Sequence, residues 1–357
     1  MIVIEASART IPPPVEELEE HRRALTAYCY RMLGSPFEAQ DAVQDTLLRA
    51  WRSRERFEGR AALRSWLYRI ATNVCLDMLK GRQRRARPMD LGPARSPDGP
   101  IGDTLPEVTW LEPVPDGLVL SEGDPADVAV ARETVRLALV AALQRLPPRQ
   151  RAALILCEVL RWKAAEVAEL LDTSVASVNS ALQRARATLA DSNVSACDPT
   201  PTLDPPEREL LARYLAAFES YDMDALTLLI REDATQSMPP YELWLSRRAD
   251  ILRWWVGQGA GCRGSRLIAT SANGSPAFGQ YKPSATGEGY EPWALQVLEI
   301  ERGQIVELTF FLGTETIFPL FGLPARVAFQ SQSGSTSPRP MTSSSSRSSL
   351  EARRSLS

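Results

Sequence analysis

Histidine is almost absent from this sequence: His21 is the only one in 357 residues. A histidine base is therefore excluded from everything after the first helix. Cysteine is scarce. Cys29, Cys75, Cys157, Cys197 and Cys262 make an odd count with no two at metal-ligand spacing. A disulfide framework and a zinc site are not expected, and a reducing compartment is. Long apolar runs are missing, so no segment reaches the roughly 20 residues that span a bilayer. Residues 1–14 lack the charged-then-apolar pattern of a signal peptide. A cytoplasmic protein without membrane contact is expected. A charge of one sign is also lacking, since the net charge is -3 with 24% charged residues. The whole-chain value hides strong local asymmetry, and that asymmetry is the informative quantity. There is no internal repeat.

What is present is 44% hydrophobic content over a length sufficient for two or three compact units. Residues 15–87 read as helices rich in Arg, Leu and Ala. Residues 88–126 change character: Pro88, Pro93, Pro97, Pro100, Pro106, Pro113, Pro115 and Pro125 exclude a long helix, and acids outnumber bases. This stretch reads as a flexible, extended acidic linker. Residues 127–192 are helical again, and a Pro-rich joint follows at Asp198–Pro206. Residues 205–326 read as an α+β unit. Helical stretches over Glu207–Ser220 and Asp224–Arg231 lead to strands over Arg266–Thr270, Trp293–Glu301 and Gln304–Leu312, with a hairpin signal at Glu301-Arg302-Gly303. Residues 330–357 are Ser/Arg-rich and read as a disordered tail.

In the first unit, EAQDAVQDTLLRAW (38–51) places Val43, Leu47 and Ala50 on a core stripe. Asp41, Gln44, Asp45 and Leu48 then share another face, acidic and apolar, suited to a basic helical partner. The alternative is an ordinary solvated face. The next helix is expected over Leu63–Arg85. Leu67, Ile70, Val74 and Met78 form its core stripe. Trp66, Arg69, Asn73, Asp77 and Lys80 form a neighbouring stripe that suits single-stranded DNA through stacking, base-edge hydrogen bonds and phosphate neutralisation. The run Lys80, Arg82, Arg84, Arg85 and Arg87 extends this basic surface. Trp66 reads equally well as core.

In the second helical unit, LPPRQR (146–151) opens an amphipathic helix carrying Leu154, Ile155 and Val159. AAEVAELLDTSVASVNSALQRARATL (164–189) has helix-turn-helix spacing: a short helix with Val167, Ala168 and Leu171, a turn at Asp172-Thr173, and Ser174 as N-cap of a second helix bearing Val178 and Leu182. Ser174, Ala176, Ser177, Asn179, Ser180, Gln183 and Arg184 form the outward, DNA-facing set of that second helix. A plain helical hairpin is the alternative.

Both units, in this order, resemble the extracytoplasmic-function (ECF) sigma factors of bacterial RNA polymerase, over residues 18–190. EAQDAVQDTLLRAW looks like the family's clamp-binding helix, FEGRAALRSWLYRIATNVCLDMLKGRQRR like its loop and helix for melting and reading the -10 element, and LPPRQRAALIL with the helix-turn-helix like its -35 reader. The resemblance implies that Asp41, Asp45 and Leu48 bind the β′ clamp helices of core RNA polymerase. Phe57, Gly59, Arg60 and Ala61 would shape the pocket for a flipped base, and the second unit would meet the β flap and promoter DNA. Arg60 stands where the family often has an acidic or small residue, and Asn179 and Ala181 stand where Lys and Arg are common. The C-terminal unit resembles the cone-shaped SnoaL-like α+β fold, which a subset of these sigma factors carries. PPYELWL and SPAFGQY bear that likeness. A pocket lined by Tyr241, Trp244, Trp255, Trp293 and Phe310 would suit a small apolar ligand; ordinary core is the alternative for each aromatic.

The expectation is thus two all-α domains, the second a helix-turn-helix, followed by an α+β SnoaL-like domain. It would be a non-enzymatic transcription initiation factor regulated in cis, with no cofactor and no metal. Two other readings stand beside it: an enzyme of the SnoaL-like fold using Asp222, Asp224, Asp233 or Asp250, and a one-component ligand sensor.

Overall fold

The computed structural model of the protein describes residues 12–57, 62–120, 125–190 and 205–329. Gly59, Arg60, Ala61, Cys197, most of the 198–206 joint and the 330–357 tail lie outside the described residues.

The first unit is built from α1 (Val15–Glu20), α2 (Arg22–Leu33), α3 (Pro36–Ser53) and α4 (Leu63–Met78). Local chemistry sets its corners. Gly34, left-handed at φ 76°, closes α2. Ser35 Oγ then accepts from Glu38 N at 3.3 Å, with Pro36 at the first helical position of α3. Leu25, Tyr28, Val43, Leu67 and Val74 are buried between the helices, and Tyr28 is tied to Thr72 at 2.7 Å. Helix α4 stops seven residues before the expected end: the chain turns over at Gly81 (φ 71°), and Arg82–Arg85 has no regular secondary structure.

The flexible acidic linker expected over 88–126 is a packed strap over its described length. Prolines exclude a long helix but not packing. The segment forms short 3-10 turns at Pro88–Asp90 and Glu107–Thr109 and one helical turn, α5 (Asp116–Val119). Trp110, Leu111, Val114 and Val119, spaced between the prolines, are all buried. Its backbone donors find partners outside the strap, which is what extended, non-helical backbone requires when buried. Leu111 N bonds to Ala86 O and Glu112 N to Gly34 O, both at 3.0 Å.

The third unit comprises α6 (Pro125–Glu133), α7 (Leu137–Gln144), α8 (Pro148–Leu154) continuing into a π-helical turn (Ile155–Val159), α9 (Ala164–Leu170) and α10 (Val175–Ala190). The C-terminal unit comprises α11 (Pro205–Ser220), α12 (Met223–Leu229), β1 (Ile230–Ser237), β2 (Trp244–Ser246), α13 (Arg248–Val256), β3 (Arg266–Ala272), β4 (Ser275–Pro283), β5 (Tyr290–Glu301), β6 (Gln304–Phe311) and α14 (Thr314–Leu320). The sheet order is β2-β1-β6-β5-β4-β3, with β1 and β6 parallel and the other pairs antiparallel. Strands β3, β5 and β6 fall where the sequence puts them, and the β5–β6 turn uses Arg302 (φ 50°) and Gly303 (φ 74°). Strands β1, β2 and β4 are additions to the sequence reading.

Alternation along the strands divides the sheet between two cores. Phe278, Leu298 and Phe310 pack with α11–α13. Their neighbours Ala277, Val297 and Phe311 join α14 and the helical units in one continuous apolar cluster.

Candidate polymerase and DNA interfaces

Helix α3 presents the expected acidic-apolar face. Asp41 and Gln44 are exposed, Leu48 is 44% exposed, and Asp45 is half-buried and paired with Arg49 at 2.7 Å. Sequence reasoning missed Trp51, which continues the face one turn on and is 47% exposed, with the Arg54 guanidinium 5.0 Å from its ring centroid. Spacing alone could have found it, since Leu47 and Ala50 already occupy the core positions of that turn. Exposing a leucine and a tryptophan side by side on a helix is costly unless a partner covers them.

Arg69, Asn73 and Asp77 on α4 and Lys80 in the turn after it are exposed. Trp66 is half-buried, its ring 5.1 Å from that of Phe57. Asp77 and Lys80 pair at 2.7 Å, which holds the Asp77 carboxyl below the usual range. The basic run beyond Lys80 is not a free cationic surface. Arg82 and Arg85 both reach Glu38, at 2.6 and 3.0 Å, Arg85 being buried, and Arg87 pairs with Asp90 and Glu307.

The Arg69 end of the α4 face is also met from across the molecule. The first helix of the helix-turn-helix, α9, sets Glu169 3.2 Å from Arg69. Trp162 packs on Tyr68 at 5.3 Å, with the Arg64 guanidinium 5.5 Å from its centroid. A groove of ≈ 490 Å³ remains between Asn73, Lys80 and the 147–149 turn. Two buried arginines stitch the units reciprocally. Arg31 donates to Thr134 O (3.0 Å) and Oγ1 (2.6 Å), while Arg151 donates to Met32 O, to Gln144 Oε1 (2.6 Å) and to Leu146 O (3.1 Å). Burial pushes each guanidinium down to about 10.

The second helix of the helix-turn-helix is open. Ser174 caps α10, its Oγ accepting from Ser177 N at 3.1 Å, and Asp172 makes the turn at φ 51°. Val178, Leu182 and Ala185 face inward. Ser174, Ala176, Ser177, Asn179, Ser180, Gln183 and Arg184 are all exposed on the opposite side.

The C-terminal unit departs from the expected aromatic pocket. Trp255, Trp293 and Phe310 do surround one interior space, with Phe218, Trp254 and Cys262, but its volume is ≈ 10 Å³, room for about one water. Lys282 Nζ caps Trp293, 3.0 Å from the ring centroid. Tyr241 and Trp244 do not line this space: the strap covers them. Trp244 Nε1 donates to Gly92 O at 2.9 Å, Arg95 N to Trp244 O at 2.9 Å, and Leu105 N to Pro240 O at 3.0 Å. Gln258 Nε2 reaches Pro97 O at 3.1 Å, and Arg253 pairs with Asp98. The strap fills the side of the domain that the sequence left open. Asp222 is the N-cap of α12, accepting from Ala225 N at 2.9 Å, and Asp233 is tied to Arg231, so both serve structure.

Comparison with known proteins agrees with this layout. Residues 18–85 match Sigma-70 region 2, residues 136–189 match Sigma-70 region 4, and residues 211–308 match the SnoaL-like domain. The Mycobacterium tuberculosis protein "ECF RNA polymerase sigma factor SigG" is 48% identical over 310 residues, covering 86% of this chain and 82% of its own. The chain is an ECF RNA polymerase sigma factor. A second M. tuberculosis relative, SigJ, is 31% identical over 299 residues, covering 80% of this chain and 86% of its own. The crystal structure of SigJ superposes with a TM-score of 0.56 and 23% identity, covering 88% of this sigma factor and all of SigJ, so the fold is shared through the C-terminal domain. The assignment displaces both the fused-enzyme and the one-component-sensor readings: the sigma factor joins RNA polymerase to promoter DNA and acts in transcription initiation, not as an enzyme. Among the described residues no helix is long and apolar enough to cross a membrane.

Proposed function

We propose that this sigma factor is regulated in cis, its SnoaL-like domain holding regions 2 and 4 and the strap in a closed form that must open for promoter recognition. The observation that carries this reading is Asn273, at the β3–β4 turn of the C-terminal domain and fully buried. Its Nδ2 donates to Tyr30 Oη (2.7 Å) in region 2 and to Val135 O (2.8 Å) at the start of region 4; its Oδ1 accepts from Val114 N (3.0 Å) in the strap. One side chain thus joins three parts of the molecule to the fourth. Asn273 (φ 57°) and Gly274 (φ 74°) form a tight turn, and a Cβ at 274 would meet Arg132 O at 2.9 Å.

Geometry supports the need to open. The -10 and -35 elements lie about 25 base pairs apart, roughly 85 Å along B-DNA at about 3.4 Å per pair. In the closed form α4 and α9 touch, so the two readers cannot engage both elements together. In the open form, Asp41, Gln44, Asp45, Leu48 and Trp51 would meet the β′ clamp helices. Phe57, Arg60, Trp66, Arg69, Asn73, Asp77 and Lys80 would melt and read the -10 strand, and region 4 would meet the β flap while α10 enters the -35 major groove.

The test is transcription in vitro with core polymerase, comparing the full chain with a version ending at Asp198. The closed-form reading predicts a changed transcript yield from the shortened version and cross-links between region 2 and the SnoaL-like domain in the full chain. Equal transcription across promoters, with no cross-link between region 2 and the SnoaL-like domain in the full chain, overturns the reading.

A further inference from the structure

The closed form creates a cleft that neither half has alone, so a site there rests on the closed-form reading. The cleft measures ≈ 320 Å³, within the ~300–1,000 Å³ range of small-molecule sites. One side belongs to the SnoaL-like domain and is mainly apolar: Leu211 and Leu215 of α11 and Pro276 and Phe278 of β4, edged by the hydroxyls of Thr270, Ser271 and Ser275. The other end belongs to the sigma half and is polar, with Asp116 of α5 and Arg132 of α6. Asp116 is pinned by a 2.7 Å hydrogen bond from Gly274 N. Burial pushes its carboxyl up, opposed by the bonds from Gly274 and Ser271 and, less, by the Arg132 charge.

The charges decide the ligand class. One carboxyl and one guanidinium carry opposite formal charges, so an ionic ligand entering the cleft would shed its water without gaining a net counter-charge. A neutral molecule avoids that cost, still covers the apolar wall, and can give a hydrogen bond to Asp116 or take one from Arg132. We propose that this interdomain cleft binds a neutral, mainly apolar small molecule bearing a hydroxyl or carbonyl group, and that its occupancy locks the closed form. The walls separate when the halves separate, so such a ligand binds one state only. It favours closure by a factor of 1 + [L]/Kd, about 100-fold at 100 Kd. The site is distinct from the nearly filled space around Trp255 and Trp293.

The experiment uses the full chain with fluorophores on region 2 and on the SnoaL-like domain. The probe is 1-naphthol, with 1-naphthoate and 1-naphthylmethylammonium as its anionic and cationic counterparts. Calorimetry is expected to show saturable naphthol binding at least about tenfold tighter than either ion. Energy transfer should rise and transcript yield fall with the same midpoint. Ala212→Trp fills the cleft from an exposed position on α11 and should weaken binding at least about tenfold with an unchanged melting temperature. Asp116→Asn should retain binding but reduce the preference for naphthol over naphthoate. Absent saturable binding, equal affinity for the ions, or binding indifferent to Ala212→Trp overturns the site. Bound naphthol with unchanged energy transfer overturns the locking role. Energy transfer already missing without probe points instead to failure of the closed-form reading, and the site falls with it.

Discussion

The guanidinium of Arg69, on the face proposed to read the -10 strand, lies 3.2 Å from the carboxylate of Glu169, in the first helix of the helix-turn-helix. Both side chains are largely exposed, at 45% and 75%. Such a pair contributes at most about 1 kcal/mol and is screened by salt. It therefore reports closure rather than causing it. Glu169→Arg should raise the affinity of the isolated sigma factor for a forked -10 DNA by no more than about fivefold. A larger effect, measured by fluorescence anisotropy, would move the weight of closure from the buried contacts to this pair.

Asn273→Ala is expected to act far more strongly. It leaves Tyr30 Oη, Val135 O and Val114 N without this partner in a buried site, and each unsatisfied buried group costs about 1–3 kcal/mol. Tyr30 still donates to Glu112 O at 2.8 Å, so region 2 keeps its own fold. Energy transfer between region 2 and the SnoaL-like domain should fall, and transcription should change at least about tenfold. Asn273→Asp keeps the acceptor for Val114 N but sets an oxygen against Val135 O in a buried site, and should lower energy transfer at least as far as Asn273→Ala.

Core binding should depend on the α3 face and not on closure. Asp45→Arg with Leu48→Arg should weaken binding to core polymerase by at least about 30-fold, the size of a hot-spot loss of about 2 kcal/mol, while leaving the melting temperature nearly unchanged. Trp51→Ala alone should cost a comparable amount. A pull-down retaining either variant at wild-type levels removes the face from the interface.

Closure should also depend on pH. Glu299, on β5, faces Arg136 at 3.5 Å, Ser275 at 2.8 Å, and the carboxylates of Glu133 and Glu307. Burial pushes it up to about 7, with Arg136 opposing and Glu307 adding to the rise. Glu112, in the strap beside Arg85, Ser35 and Glu107, is likewise pushed up to about 7 by burial. A carboxyl raised in the closed form binds its proton there more tightly than in the open form. Its contribution to closure is therefore complete below its ordinary value of 4.5 and is lost as pH rises through 7. Energy transfer should fall between about pH 5 and 8, and Glu299→Gln should flatten that profile. A profile that rises with pH reverses the assignment.

The helical domains were legible because their signals are local: the Ser35 and Ser174 caps, the core stripe of α3 and the helix-turn-helix spacing are all set within one or two turns. The proposed DNA-facing set of α10 was legible for the same reason, since burial of Val178 and Leu182 determines which positions remain outside. Closure was not legible. Trp244 reads as a pocket residue until the strap is laid across it, and nothing near Trp244 in sequence announces Gly92. Asn273-Gly274 is a turn signal by composition, but its partners Tyr30, Val114 and Val135 lie more than a hundred residues away. The acidic linker read as free because proline content reports on helix, whereas packing is decided by Trp110, Leu111 and Val114 between the prolines. The basic run 80–87 read as a surface because charge can be counted in sequence, while pairing with Glu38 cannot.

The strap's seat is synthesised after the strap. Gly92–Leu105 leaves the ribosome well before Pro240, Trp244, Arg253 and Gln258, the last of these about 150 residues later. At about 5–20 residues per second this is a delay of roughly 8–30 s. Region 4 is complete at Ala190, about 70 residues before Gln258, so for roughly 3–14 s of that interval a nascent chain carries both helical sigma regions and no seat to hold the strap. Newly made molecules would thus pass through a window in which polymerase can capture them before self-restraint sets in, so a burst of synthesis would itself act as a signal, independent of any later release.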